Sequence, residues 1–268
     1  MTSTITLAAY DSLDLWAYVA AAFGGAGIGF LLALFGGGGS VLATPLLLYG
    51  VGVRDPHVAI GTASAAVSLN ALVALGAQAR AGQVKWPCAV AFGAAGLIGS
   101  LTGAQIAKQV DGHSLLLWFA LAMAVIGASM LAPKKSEGDP SVRLTLRHVL
   151  RIAPLGLITG LAAGFFGIGG GFLIVPGLMA ATGMTLAHAA ASSLVSVALF
   201  GAATSASYAA SGLVDWPLFL ALIAGGGLGA LAGAPTARLL EGHATTARRV
   251  FAVMVILAAG YVAWRATH

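Results

Sequence analysis

FGGGGSVLATP at residues 35–45 and FGIGGGFLIVP at residues 166–176 decide how this chain is read. Both pair a phenylalanine and a glycine cluster with a proline at the same distance. Outward from that register, Gly25 and Gly29 fall on Gly156 and Gly160, and His57 falls on His188. After the loss of one residue, GQVKWP (82–87) lies over GLVDWP (212–217), and GSLTGAQIAK (99–108) over GALAGAPTAR (229–238). Asp111-Gly112-His113 then lies over Glu241-Gly242-His243. Glycines can coincide by chance in a chain that has 38 of them. Phenylalanine, Trp-Pro and an acid-Gly-His triplet sharing one register do not. The chain is an internal duplication.

Composition sets the environment. Of 268 residues, 59% are hydrophobic and 8% charged, and the mean hydropathy is +0.96. Soluble domains carry about 25% charged residues, so this chain cannot cover a water-facing surface, and a soluble enzyme is excluded. The single cysteine, Cys88, excludes a disulfide scaffold. Apolar stretches of about twenty residues match a hydrocarbon layer of about 30 Å. Alternating short strands, the mark of a β-barrel, are missing from the pattern. The expected fold is an all-α polytopic membrane protein. The net charge of +5 reads as the lysine and arginine excess that orients membrane proteins, with no nucleic-acid partner implied. The first residues lack the basic start of a cleavable signal peptide, so the first helix is expected to be retained.

Apolar stretches fall at residues 13–35, 41–53, 58–79, 86–107 and 115–132, and again at 152–166, 172–183, 187–210, 216–237 and 247–264. The expected organisation is a first transmembrane repeat at 13–132, a basic cytoplasmic linker at 133–151 and a second repeat at 152–264. Each repeat has about four long helices and a short helix broken at the glycines. If the short pieces cross the membrane, the copies are inverted; if not, they are parallel. With the linker inside, inversion also places Arg80, Lys85, Arg238, Arg248 and Arg249 inside. Only Arg54, Lys108 and Arg265 of the 13 basic residues then lie outside. The parallel arrangement divides the charges more evenly. Inverted repeats with broken helices recur in secondary transporters.

The F-G-x-G-G-G-x-x-x-x-P element, present after the first helix of each half, resembles the TauE/SafE family of sulfite-exporter-like membrane transporters. The resemblance runs from about Trp16 to Trp264, and the first copy departs from the pattern at Gly37 and Ser40. It implies a permease of the inner membrane moving a small anion such as sulfite, sulfoacetate or another organosulfonate or organic acid. An anion channel and an intramembrane enzyme are the alternatives. Neither H-E-x-x-H nor G-x-S-x-G is present, and the chain is expected not to be an enzyme. A homodimer is left open.

Several residues are candidates for the substrate path. The glycines Gly36, Gly37, Gly38 and Gly39, with Gly167, Gly169, Gly170 and Gly171, are expected to turn the backbone at positive φ, and Ser40 beside them is a further binding candidate. Successive N–H groups at a helix start would then cradle an oxyanion; tight turns or close packing are the other reading. Thr62 and Ser192 occupy equivalent positions within spans, and Ser193 is adjacent. Asn70 carries an amide that cannot satisfy itself in lipid. His57 and His188 stand at equivalent span entrances and are the candidates for proton linkage. Small residues at Gly25/Gly29, Gly156/Gly160/Gly164, Gly99/Gly103 and Gly225/Gly229/Gly233 read as helix-packing stripes. No metal spacing and no cofactor motif is visible.

Overall fold

The computed structural model describes residues 15–131, 138–139, 145–167, 171–239 and 244–267. Most of the expected linker, together with Gly169 and Gly170, lies outside them. Among the described residues there are helices and no strands. Eight helical spans are long and apolar enough to cross a membrane.

The first half holds α1 (Leu15–Phe35), a broken segment, α2 (Pro56–Arg80), α3 (Trp86–Ala107) and α4 (Gly112–Leu131). The second holds α5 (Leu146–Phe166), the short α6 (Gly171–Thr182), α7 (Leu186–Ala209), α8 (Trp216–Leu239) and α9 (Ala244–Thr267). Helix α5 begins inside the stretch expected as linker. Local chemistry sets these boundaries. Asp55 caps α2, and Thr145 and Thr185 cap α5 and α7, each accepting from a backbone N–H of the first turn. Pro56 and Pro87 sit in first turns, where a missing N–H costs nothing. Positive-φ glycines recur in the duplicate register, as Gly36 with Gly167, Gly52 with Gly183 and Gly82 with Gly212.

The halves interlock. Helix α1 packs on α8, and methyls on Gly29, Gly225 or Gly229 would overlap the carbonyls of Gly226, Ala22 and Ala26. Helix α3 packs on α5 in the same way, with Gly99 and Gly103 against the Leu157 and Leu161 carbonyls, and Gly160 and Gly164 against those of Gly96 and Ser100. The glycine stripes are therefore contact faces between halves, where backbones approach to van der Waals distance.

Contact order gives helix direction. Residues 22 and 26 of α1 meet 225 and 229 of α8, so that pair runs parallel. Along α2 and α7 the order reverses: His57 stacks on Tyr208, Gly201 lies against Ser64, and Ser68 Oγ donates to Ala198 O at 2.8 Å. These two equivalent helices, the most buried of the spans, run antiparallel. So do α4 and α9, where His113 Nε2 bonds Ala266 O and Gly127 meets Ile256.

The broken segment, residues 36–51, is a 3-10 run (Gly36–Leu42), one α turn (Ala43–Pro45) and a π run (Leu46–Val51). It folds back along α1, with Gly39 against Leu31 and Leu32 and Leu46 against Gly24. Helix α2 then restarts in the direction of α1, and Gln78 Nε2 near its end donates to Ala33 O near the end of α1 at 3.3 Å. In the second half α6 doubles back likewise, with Gly177 beside Thr159 of α5. Asp139 N donates to Gly183 O at 2.8 Å, which ties the linker to the far end of α6.

Candidate functional site

Each glycine element begins where a long helix stops. Gly36 and Gly167 hold φ of +64° and +63°, the left-handed residue that ends α1 and α5. They are the only residues of the clusters with positive φ among those described. Gly37, Gly38 and Gly39 instead enter a 3-10 turn with Ser40. The expected run of positive-φ glycines is thus replaced, in the first copy, by one helix-ending glycine and a tight helical turn.

That turn is buried and already bonded. Gly37 N donates to Ser193 Oγ at 3.1 Å, and Ser193 Oγ donates to Ala190 O at 2.7 Å. Ser40 Oγ donates back to Gly37 O at 2.7 Å. In the second copy Ser64 Oγ lies 2.7 Å from Ile60 O and 2.5 Å from Gly167 O. Each element is therefore held by a serine on the other half's long buried helix. The two elements also meet: a methyl on Gly37 would overlap Gly171, and one on Gly171 would overlap Gly37. A methyl on Gly39 would strike the backbone of α1. On Gly38 it would meet Phe251 at 3.2 Å, a ring edge able to give.

Thr62 and Ser192 do equivalent work at opposite ends of the α2–α7 pair. Asp215 N donates to Thr62 Oγ1 at 2.8 Å, and Lys85 N donates to Ser192 Oγ at 2.9 Å. Each hydroxyl latches the loop that precedes the other half's third long helix. The latched residues are themselves equivalent and opposite in charge. Asp215 is 6% exposed and accepts from Leu218 N at 3.0 Å. Burial pushes its carboxyl above the usual range, against the opposing pull of that hydrogen bond. Asp215 was not among the candidates from sequence; its equivalence to Lys85 was the available signal.

Asn70 is 1% exposed. Its Nδ2 donates to Leu222 O at a long 3.4 Å, and its Oδ1 has no partner. The amide lies against Gly226, where the equivalent residue of the other half, Phe200, lies against Gly96. An unpartnered buried acceptor costs about 1–3 kcal/mol, so Asn70 is expensive where phenylalanine fits. Thr44 Oγ1, Ser196 Oγ, His57 Nδ1 and Tyr208 Oη are likewise buried without partners. Tyr208 escaped the sequence reading because one tyrosine in an apolar span carries no spacing signal.

The structure thus brings Gly36, Gly37, Ser40, Gly171 and Ser193 together. It places Ser64 and Gly167 nearby on the α2–α7 seam and sends Thr62 and Ser192 to opposite ends with His57 and His188. Among the described residues, no group of three or more His, Cys, Asp or Glu side chains is placed to hold a metal ion.

A model of the family described as Sulfite exporter TauE/SafE matches residues 21–262. A "Probable membrane transporter protein" of Xylella fastidiosa is 46% identical over 239 residues, covering 89% of this chain and 92% of that one. The "Probable membrane transporter protein YunE" of Bacillus subtilis is 26% identical over 230 residues, covering 78% and 84%. No solved structure matches. With interlocked apolar halves built around paired glycine elements and a family match spanning nearly all of it, the chain belongs to the sulfite exporter TauE/SafE family of membrane transporters.

Proposed function

We propose that the protein carries a small anion, sulfite or an organosulfonate, across the inner membrane, through a site where the two glycine elements meet. The observation that carries this reading is the meeting itself. Two helix breaks from different halves touch at Gly37 and Gly171, and a serine of the opposite half binds each break. Backbone N–H groups at helix breaks stabilise negative charge without a buried cation. Gly36, Gly38, Gly39, Ser40, Gly167 and Gly171 form the centre of this site, with Ser193 supporting it and Asn70 offering the amide N–H that its bond to Leu222 O leaves over; Gly169 and Gly170, outside the described residues, belong to the second element by sequence. Thr62 and Ser192 close its two ends by their loop latches.

The same reading makes residues 13–132 and 152–264 inverted repeats joined by a cytoplasmic linker at 133–151. The opposite running of α2 and α7 supports it, as does the return of residues 36–51 along α1. The basic residues support the sidedness.

Uptake of sulfite, sulfoacetate, acetate and chloride into proteoliposomes holding the purified protein, with and without a pH gradient, tests the function. Saturable uptake of a sulfur oxyanion that falls at least tenfold in Gly38→Ala is expected. Uptake confined to chloride, with non-saturating currents, would make the protein a channel instead.

A further inference from the structure

His57 and His188 are equivalent in sequence and unlike in surroundings. The cap of α7 is Thr185, whose hydroxyl accepts from His188 N at 3.4 Å and bonds His188 Nδ1 at 2.8 Å. The cap of α2 is Asp55, whose carboxylate accepts from His57 N at 2.8 Å and has no proton to offer the ring. His57 Nδ1 is buried without a partner. The residue across the helix pair differs too. Tyr208 stacks on His57, with ring centroids 6.2 Å apart, and its fully buried hydroxyl is also unpartnered. The residue equivalent to Tyr208, Gln78, donates to Ala33 O. One end of the α2–α7 pair therefore holds two adjacent unanswered polar groups, and the other end holds their satisfied counterparts. Packing alone would be served as well by phenylalanine as by Tyr208.

We propose that His57 and Tyr208 form an oxyanion-docking site at this end of the path, and that the His188 end has no equivalent. Tyr208 donates its hydroxyl proton to one ligand oxygen. His57 binds one proton from the bulk hydronium pool as the anion arrives and, as the imidazolium, donates a hydrogen bond from Nδ1 to a second ligand oxygen, so one proton and one anion enter together. The site lies on the route to the glycine elements. One turn along α2, Ile60 packs under Gly167, and a further turn on, Ser64 bonds the Gly167 carbonyl. The titratable groups around His57 fit this role. Asp55 caps its own helix, two residues before it. Tyr208 faces it from α7. Asp111 and His113 flank Gly112, which lies against Pro56. Lys108 is engaged by Ser207 O and Ser211 Oγ, and Asp215 by Leu218 N.

This inference rests on the anion-transport reading and is tested with sulfite as the probe. Sulfite affinity and uptake are measured across pH for the purified wild type, Tyr208→Phe, His57→Gln and His188→Gln. Tyr208→Phe and His57→Gln are expected to bind sulfite at least tenfold more weakly. His57→Gln should also flatten the pH dependence, and His188→Gln should lose several-fold less than His57→Gln. Tyr208→Phe should melt no lower than the wild type, since it removes an unpartnered buried hydroxyl. Wild-type affinity in Tyr208→Phe, or equal losses in the two histidine variants, overturns the site while leaving anion transport standing. Absence of uptake of every anion by the wild type overturns both.

Discussion

The first and second halves share helices, glycine stripes, positive-φ glycines and loop latches, yet differ at several equivalent polar positions. Asn70 stands where Phe200 stands, Lys85 where Asp215 stands, and the unsatisfied His57 where the satisfied His188 stands. The shared features hold backbones together, by close approach or through the Thr62 and Ser192 hydroxyls, and the unshared ones concern what other side chains offer. Duplication preserves what interlocking needs, because each glycine face must fit the carbonyls of the other copy. Side chains away from those faces meet no such constraint, and their divergence gives the two ends of the α2–α7 pair different chemistry.

The comparison can be broken or sharpened in five ways, the largest effect first. If the halves are inverted, single cysteines at Gly82 and Ser211, equivalent loops but for one residue, label from opposite faces with a membrane-impermeant reagent. Labelling from one face would make the copies parallel. Next, Gly29→Leu should abolish the folded, monodisperse protein in detergent, because its side chain would enter the Gly226 backbone. Gly27→Leu, on the same helix, meets nothing within 4 Å and should be tolerated. Size-exclusion profiles separate the two.

Third, Asn70→Leu makes the halves more alike by removing the amide. Sulfite affinity should fall roughly tenfold to over a hundredfold, because a hydrogen bond to a charged group is worth about 1.5–3 kcal/mol. The fold should survive. Fourth, Thr62→Val and Ser192→Ala each remove one latch bond. Each should lower stability by about 1 kcal/mol, and the two losses should be similar because the latches are equivalent. Chemical denaturation checks this.

The smallest effect concerns Asp215. Its carboxyl is raised in the fold by burial, so the folded protein binds a proton more readily than the unfolded chain. Stability from this group is therefore greatest below the ordinary aspartate range and declines as pH rises through the raised folded value. Asp215→Asn should remove that part of the decline while keeping the cap on Leu218, since Asn is an equally good capping residue. Melting temperatures over a pH series report it.

Much of the architecture was legible in advance because lipid leaves few options. A span needs about twenty apolar residues, and close helix crossings need small ones. Both leave periodic marks along the chain. The duplicate register was equally legible, since Trp-Pro and acid-Gly-His survive as pairs. The return of residues 36–51 along α1 was not. The segment passes through 3-10, α and π turns, which rise differently per residue, so its reach cannot be read from its length. The glycine clusters were found by sequence, but their conformation was misjudged: one left-handed glycine ends each long helix, and neighbouring packing holds the first copy's remainder in a helical turn.

By itself, then, the sequence determined a duplicated helical membrane protein with two glycine breaks and glycine-faced helices, because composition and period act locally along the chain. Only the tertiary structure decided which polar groups go unanswered. Thr62 finds its donor 153 residues away at Asp215, and Tyr208 meets His57 across the antiparallel seam. Whether a hydroxyl or an imidazole is free depends on what the other half brings to it, and that follows from how the copies interlock.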